Sequence, residues 1–163
     1  MPARIRAAIP EDVPAIAAIY NHAVAQSTAT FDTQEKSAPE MQQWFESHGK
    51  RHPVLVAETE GSVRGWAALS PWSDRAAYAD TAENSVYVHE SARGRGIGKA
   101  LLAALIEAAR KQVLHSIIAR VAEGNPASDS LHLAAGFTPV GTMREVGRKF
   151  GKWIDVRIYQ LML

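Results

Sequence analysis

Cysteine does not occur anywhere in the 163 residues. Its absence excludes disulfides, thiolate metal centres and cysteine nucleophiles together, and it is compatible with a cytoplasmic setting. Long apolar runs are missing too. The longest, Ala100 to Ile106, falls well short of the roughly 18 residues a membrane-spanning helix needs, so no membrane partner is expected. The opening Met-Pro-Ala-Arg-Ile-Arg meets Pro10, Glu11 and Asp12 before any long apolar stretch, which is not the order of a signal peptide. An excess of one charge is also lacking. Eighteen basic residues against seventeen acidic leave +1, and no bulk field draws the chain to nucleic acid or anionic lipid. His89, His115 and the His48/His52 pair have no partner ligands at metal spacing, so no metal is assigned.

What is present is a globular composition, with 47% hydrophobic and 21% charged residues. No repeat, low-complexity tract or linker divides the chain, and its length suits one domain over residues 1–163. Ile5 to Ala8 reads as a strand. Pro10-Glu11-Asp12 begins a helix with Val13, Ile16, Ile19, Tyr20 and Val24 at helical spacing, and Ser37 with Glu40 forms a capping box for a second helix. Val54 to Ala57 and Val63 to Leu69 read as strands around a turn at Glu60-Gly61-Ser62. A polar loop from Ser70 to Asn84 leads into a strand at Ser85 to Val88. A helix from Ile97 to Gln112, a strand at Ile117 to Val121, a short helix from Ala127 to Ala135 closed by Gly136, and strands at Thr138 to Val146 and Trp153 to Leu161 follow. Strands mixed with two pairs of helices predict an α/β (α+β) layered domain on one mixed sheet.

The strongest local signal is strand, turn, helix: Val86-Tyr87-Val88, then Arg93-Gly94-Arg95-Gly96-Ile97-Gly98-Lys99, then the Ala/Leu helix. Glycines let a backbone approach a ligand at angles a side chain forbids. The first N–H groups of the helix have no internal acceptor, and its dipole adds positive charge. That is an anion site suited to phosphate or pyrophosphate. A Walker A loop would need glycine at Arg93 and Ser or Thr at Ala100; a dinucleotide fingerprint would need a small residue at Lys99. Both fail.

Arg93-x-x-Gly96-x-Gly98 resembles the (Gln/Arg)-x-x-Gly-x-(Gly/Ala) loop of the GNAT N-acetyltransferases. Asn125, Ser128, Leu131, His132 and Gly136-Phe137 resemble that family's downstream Asn-x-x-(Ala/Ser)-x-x-Leu-(Tyr)-x-x-x-Gly-Phe segment. The likeness runs from Ile5 to Leu163. A narrower resemblance is to the phosphinothricin and methionine sulfoximine N-acetyltransferase branch. It rests on Ala18 to Asn21, Thr28 to Phe31, Glu83 to Val88 and Gly147 to Val156.

The resemblance implies a GNAT fold: a mixed, mostly antiparallel sheet of six to seven strands flanked by about four helices. It implies acetyl-CoA as co-substrate, a small amino acid or analogue as acceptor, and a homodimer. The pyrophosphate would lie on Arg93 to Lys99, and the pantetheine on Asn125 and on the backbone of Val86, Tyr87 and Val88, paired like an added strand. A splay in that strand would admit the thioester, with the Val88 N–H facing its carbonyl oxygen. Glu83 is the candidate base; taken alone it reads as a loop glutamate just before that strand. His132 stands where much of the superfamily has a tyrosine that protonates the thiolate, and a packed histidine is the competing reading. Asn125-Pro126 alone reads as a helix cap.

For the acceptor, Arg75 is the candidate for a two-pronged contact with an α-carboxylate. Ala76, Ala77, Glu83, Asn84 and Ser85 accompany it, and Phe31, Trp72 and Tyr78 are candidates for the side-chain wall. Lys149 and Trp153 fall on the final hairpin, where the branch places its dimer contact and pocket rim. Three alternatives stay open: the same fold acting on a protein N-terminus or a polyamine, a non-catalytic acyl-CoA-binding module, and a nucleotide binder.

Overall fold

The structure, a computed structural model, describes residues 2–163. Seven strands form one sheet: β1 Arg4–Ala7, β2 Val54–Thr59, β3 Ser62–Pro71, β4 Thr81–Val88, β5 Ser116–Ala122, β6 Thr138–Lys149 and β7 Lys152–Met162. Their order is β1-β2-β3-β4-β5-β7-β6, and β4 with β5 is the parallel pair in an otherwise antiparallel sheet. Four helices cover it: α1 Val13–Gln26, α2 Ala38–Glu46, α3 Ile97–Lys111 and α4 Pro126–Ala134.

Two cores flank the sheet. On one face, the apolar stripe of α3 (Ile97, Leu101, Leu105, Ala109) packs with Leu69, Ile117, Val121 and Tyr159. On the other, Val13, Ile16 and Ile19 of α1 and Met41 of α2 meet Val56, Trp66 and Ala68. The alternation of side chains along each strand feeds both cores. The capping box forms as read: Ser37 Oγ accepts from the Glu40 N–H at 3.3 Å, and Glu40 Oε2 accepts from the Ser37 N–H at 2.7 Å.

Two boundaries differ from the sequence reading. Pro10–Asp12 is a single 3₁₀ turn, and α1 proper begins at Val13. The buried Asp12 carboxylate ties that turn down by accepting from the Ile9 N–H and from Arg6. The loop expected over Ser70 to Asn84 is shorter. β3 runs on to Pro71 and β4 begins at Thr81, so Glu83 and Asn84 stand in the strand rather than before it. Of Thr81-Ala82-Glu83-Asn84 only Thr81 favours a strand, but β3 pairs the segment on one side and β5 on the other, and tertiary pairing overrides weak propensity.

Candidate active site

The parallel pairing of β4 with β5 stops at Glu83–Ile118. Beyond that point the two strands part, which is the expected splay. Backbone groups of a strand face its two neighbours alternately. His89 donates its N–H to the Arg64 carbonyl near β3, so the amides of Val88 and Val86, of opposite parity, face the open side. The Val88 carbonyl accepts from Arg93 Nε at 3.3 Å, joining the end of β4 to the turn that follows.

That turn is built as an anion cradle. Gly94 and Gly96 hold φ of +73° and +79°, where a side chain is strained, and space is open around both. Gly96 is the N-cap of α3 and supplies no side-chain acceptor, so the first N–H groups of the helix point outward unpaired. Gly98 does a different job. A Cβ there would touch Leu131 and Val88 at 3.7 Å, ordinary contact, which is why alanine also suits the position. Ile97 contributes only backbone, since its side chain is buried in the core. Arg93, Arg95 and Lys99 are exposed around the cradle.

A cavity of about 680 Å³ opens at the splay and is lined from both faces of the sheet. Tyr20, Trp44, Trp66, Tyr87 and Phe31 line it from the α1/α2 face, and Asn125, Ser128 and His132 from the α4 face. Side chains of successive β4 residues alternate accordingly. Asn84 reaches His132 on α4, whereas Tyr87 stacks on Trp66 at 4.9 Å between ring centroids. Burial pushes the Tyr87 phenol up to about 12; burial and the neighbouring Asp32 likewise raise Tyr20. Both are neutral donors at physiological pH.

Glu83 lines the cavity, and a charge stands over it. Arg120 of β5 donates from Nη2 to Oε1 at 2.8 Å, and its Nε lies 2.6 Å from Oε2. Both carboxylate oxygens of Glu83 thus face the Nε/Nη2 edge of the guanidinium. His132 is 4% exposed. Its Nδ1 is 2.7 Å from the Ser128 carbonyl, an acceptor only, so Nδ1 carries the proton and Nε2 accepts from Asn84 Nδ2 at 2.9 Å. Burial holds this imidazole below its ordinary pKa, against the Ser128 carbonyl and Asp129, which favour the cation. In this arrangement Nε2 gains a proton only if Asn84 turns and the buried ring charges. Asn125 serves as the cap of α4 through Oδ1, 3.3 Å from the Ser128 N–H, and keeps its Nδ2 donors for a ligand.

Other expected residues fall elsewhere. Arg75, Ala76 and Ala77 are exposed and outside the cavity wall, because a 3₁₀ turn at Ala76–Tyr78 carries them outward. Trp72 lies beneath the Arg120 guanidinium, 5.8 Å from its ring centroid to Cζ, and Tyr78 is exposed. Lys149 is buried and donates to the Thr30 carbonyl at 2.9 Å, while Trp153 is exposed. Asn84 and Ser85 do line the cavity. Sequence reasoning missed Arg120, Tyr20, Trp44 and Trp66. The signal for Arg120 was present: it is a lone charge inside the buried run Ser116–Ala122.

An anion cradle at a helix start, a parted strand pair with free amides, and a carboxylate across the gap make an acyl-CoA-dependent transferase. Comparison with known proteins agrees. The Acetyltransferase (GNAT) domain model matches residues 5–158, and the chain belongs to that family. It is 42% identical to a Pseudomonas aeruginosa L-methionine sulfoximine/L-methionine sulfone acetyltransferase, over 100% of this chain and 96% of that protein. The crystal structure of a Sinorhizobium meliloti phosphinothricin acetyltransferase in complex with acetyl-CoA superposes with TM-score 0.97 at 36% identity, covering 100% of this chain and 89% of that one. A Brucella melitensis ribosomal-protein-alanine N-acetyltransferase superposes at 0.95 with 43% identity, covering 98% and 99%.

Proposed function

We propose that this enzyme acetylates the α-amino group of a small amino acid or analogue, of the methionine sulfoximine or phosphinothricin type. The single observation that carries the reading is the cavity through the parted sheet: cofactor-side groups on one face, the Glu83 carboxylate and an aromatic wall on the other. A cavity of this size suits a small ligand; a polypeptide acceptor calls for an open groove.

Acetyl-CoA supplies the activated acyl group as a thioester. The chain's own residues do the rest. The N–H groups at Gly96 to Lys99 take the pyrophosphate, while Asn125 and the Val86 and Val88 amides hold the pantetheine arm. The Val88 N–H donates to the carbonyl oxygen as charge gathers there. Glu83 accepts a proton from the acceptor's ammonium, directly or through a water. The amine's electron pair then forms the C–N bond as the C–S bond breaks; sulfur leaves with the bonding pair as thiolate, and the second proton shed by the nitrogen passes to that thiolate or to solvent. With no cysteine in the chain, attack is direct in a ternary complex. His132 acts as a neutral residue that positions Asn84 and the wall on the thiol side.

The relatives' names support the acceptor class. The need for cytoplasmic acetyl-CoA supports a cytoplasmic enzyme. A homodimer is supported by the exposed Val140, Val146, Phe150 and Trp153 on the β6–β7 hairpin, with β6 a long edge strand that an unpaired protein would leave open to association. The Brucella resemblance favours one rival acceptor, an N-terminal alanine. Initial rates with L-methionine sulfone, phosphinothricin, an alanyl peptide and spermidine decide between them. The free amino acids are expected to give the highest kcat/KM; a peptide or polyamine ahead of both would overturn the proposal.

A further inference from the structure

Arg120 stands where acetyl transfer itself requires no charge. It is the one exposed residue of β5, it lines the cavity, and it lies on Glu83 through Nη2 and Nε. Trp72 supports its plane from beneath. A guanidinium has five donors in a fixed fork. Glu83 engages the Nε/Nη2 edge, which leaves the Nη1 donors and one Nη2 hydrogen for a second carboxylate.

In an α-amino acid a single carbon separates the ammonium from the carboxylate. The cation that reads the carboxylate must therefore neighbour the base that takes the proton. Arg75 is exposed outside the cavity wall. Lys36 lines the cavity but turns to Asp32, 3.7 Å away. Arg120 alone of the lining cations is paired with Glu83.

We propose that Arg120 recognises the acceptor's α-carboxylate and passes from Glu83 to that carboxylate as the acceptor binds. Glu83 Oε2, which lies 2.6 Å from Nε under the guanidinium, is thereby uncovered beside the ammonium. An amine without a neighbouring anion leaves Arg120 in place over the base and is a poor acceptor. Selection for amino acids thus follows from the exchange of one ion pair for another, and it rests on the amino-acid reading given above.

The test compares L-methionine sulfone with its carboxamide, which keeps the amine and side chain and loses the charge. Wild-type enzyme is expected to prefer the acid by about 10-fold in kcat/KM, the scale of one charge-assisted hydrogen bond at a half-exposed guanidinium. Arg120→Met should lower the acid's kcat/KM by about 10-fold and leave the carboxamide's unchanged or higher. Arg120→Lys, which keeps one cation, should restore part of the acid's rate. The position is exposed, so both variants should melt within a few degrees of wild type; Arg120→Gln replaces Arg120→Met if it does not. Equal losses on acid and carboxamide would reduce Arg120 to a support for Glu83 and overturn the proposal, as would no loss at all. Wild-type enzyme that acetylates an alanyl peptide but neither methionine compound would overturn the amino-acid reading, and this proposal with it, on unaltered protein.

Discussion

Replacing Gly147 with alanine tests how the acceptor side of the cavity is walled. A Cβ at Gly147 would lie 2.1 Å from Phe31 Cε2, 2.7 Å from Cζ and 2.8 Å from Cδ2, whereas ordinary contact begins at 3.4 Å. The Phe31 ring must retreat by more than an ångström. Gly147 does not hold a left-handed backbone angle, so the substitution acts through the ring alone. Phe31 is 39% exposed and has room to swing outward, which places the stability cost at the low end of overpacking, about 1 kcal/mol. That corresponds to a fall of roughly 2–4 °C in Tm for a chain of this size. The functional effect should be larger. Without the ring the acceptor loses one wall of its site, and its KM should rise about 10-fold, equivalent to about 1.4 kcal/mol. The KM for acetyl-CoA should not move, because the cradle belongs to α3. Steady-state kinetics with each substrate varied in turn reads the split. An acceptor KM within twofold of wild type, or an equal rise for acetyl-CoA, would refute the reasoning.

Gly96→Ala should cost about 1 kcal/mol of stability, because φ is +79° there. It should also weaken coenzyme A binding at least 10-fold by calorimetry; unchanged affinity would contradict the cradle. His132, held below its ordinary pKa by burial, contributes stability that is complete above the unfolded value of about 6.5. That contribution is lost as pH falls from there through the folded value. Urea melts at pH 7.5 and 5.5 should show a drop for wild type that His132→Asn reduces, and equal drops would be evidence against it. Phe150→Asp and Trp153→Ala should each halve the mass seen by light scattering; a monomeric wild type would remove the hairpin as an interface.

The cradle was legible in sequence because its geometry favours glycine: Gly94 and Gly96 hold φ of +73° and +79°, where most side chains are strained. The Ser37–Glu40 cap was legible for a similar reason, since two short-range bonds require those residue types at that spacing. The start of β4 was not. Three of the four residues from Thr81 to Asn84 are polar, and the segment becomes strand by pairing with β3 and with β5, 35 residues on. The aromatic wall was half legible. Phe31 lines the cavity as read, but Trp72 and Tyr78 do not, and Tyr20, Trp44 and Trp66 replace them. Periodicity assigns such residues to a core and cannot say which core borders a void. Arg120 shows the reverse case, a charge out of pattern whose partner, Glu83, lies 37 residues away in sequence.

The parted β4–β5 pair is the place where an amine would meet a thioester. The chain has no thiol of its own, so a thiol-reactive dye reports released coenzyme A against no protein background. Purified enzyme with acetyl-CoA and L-methionine sulfone should release one thiol for each N-acetyl product formed, and Glu83→Gln should slow both together. Tight acetyl-CoA binding with no thiol released above hydrolysis, for any of the amines named here, would contradict the account.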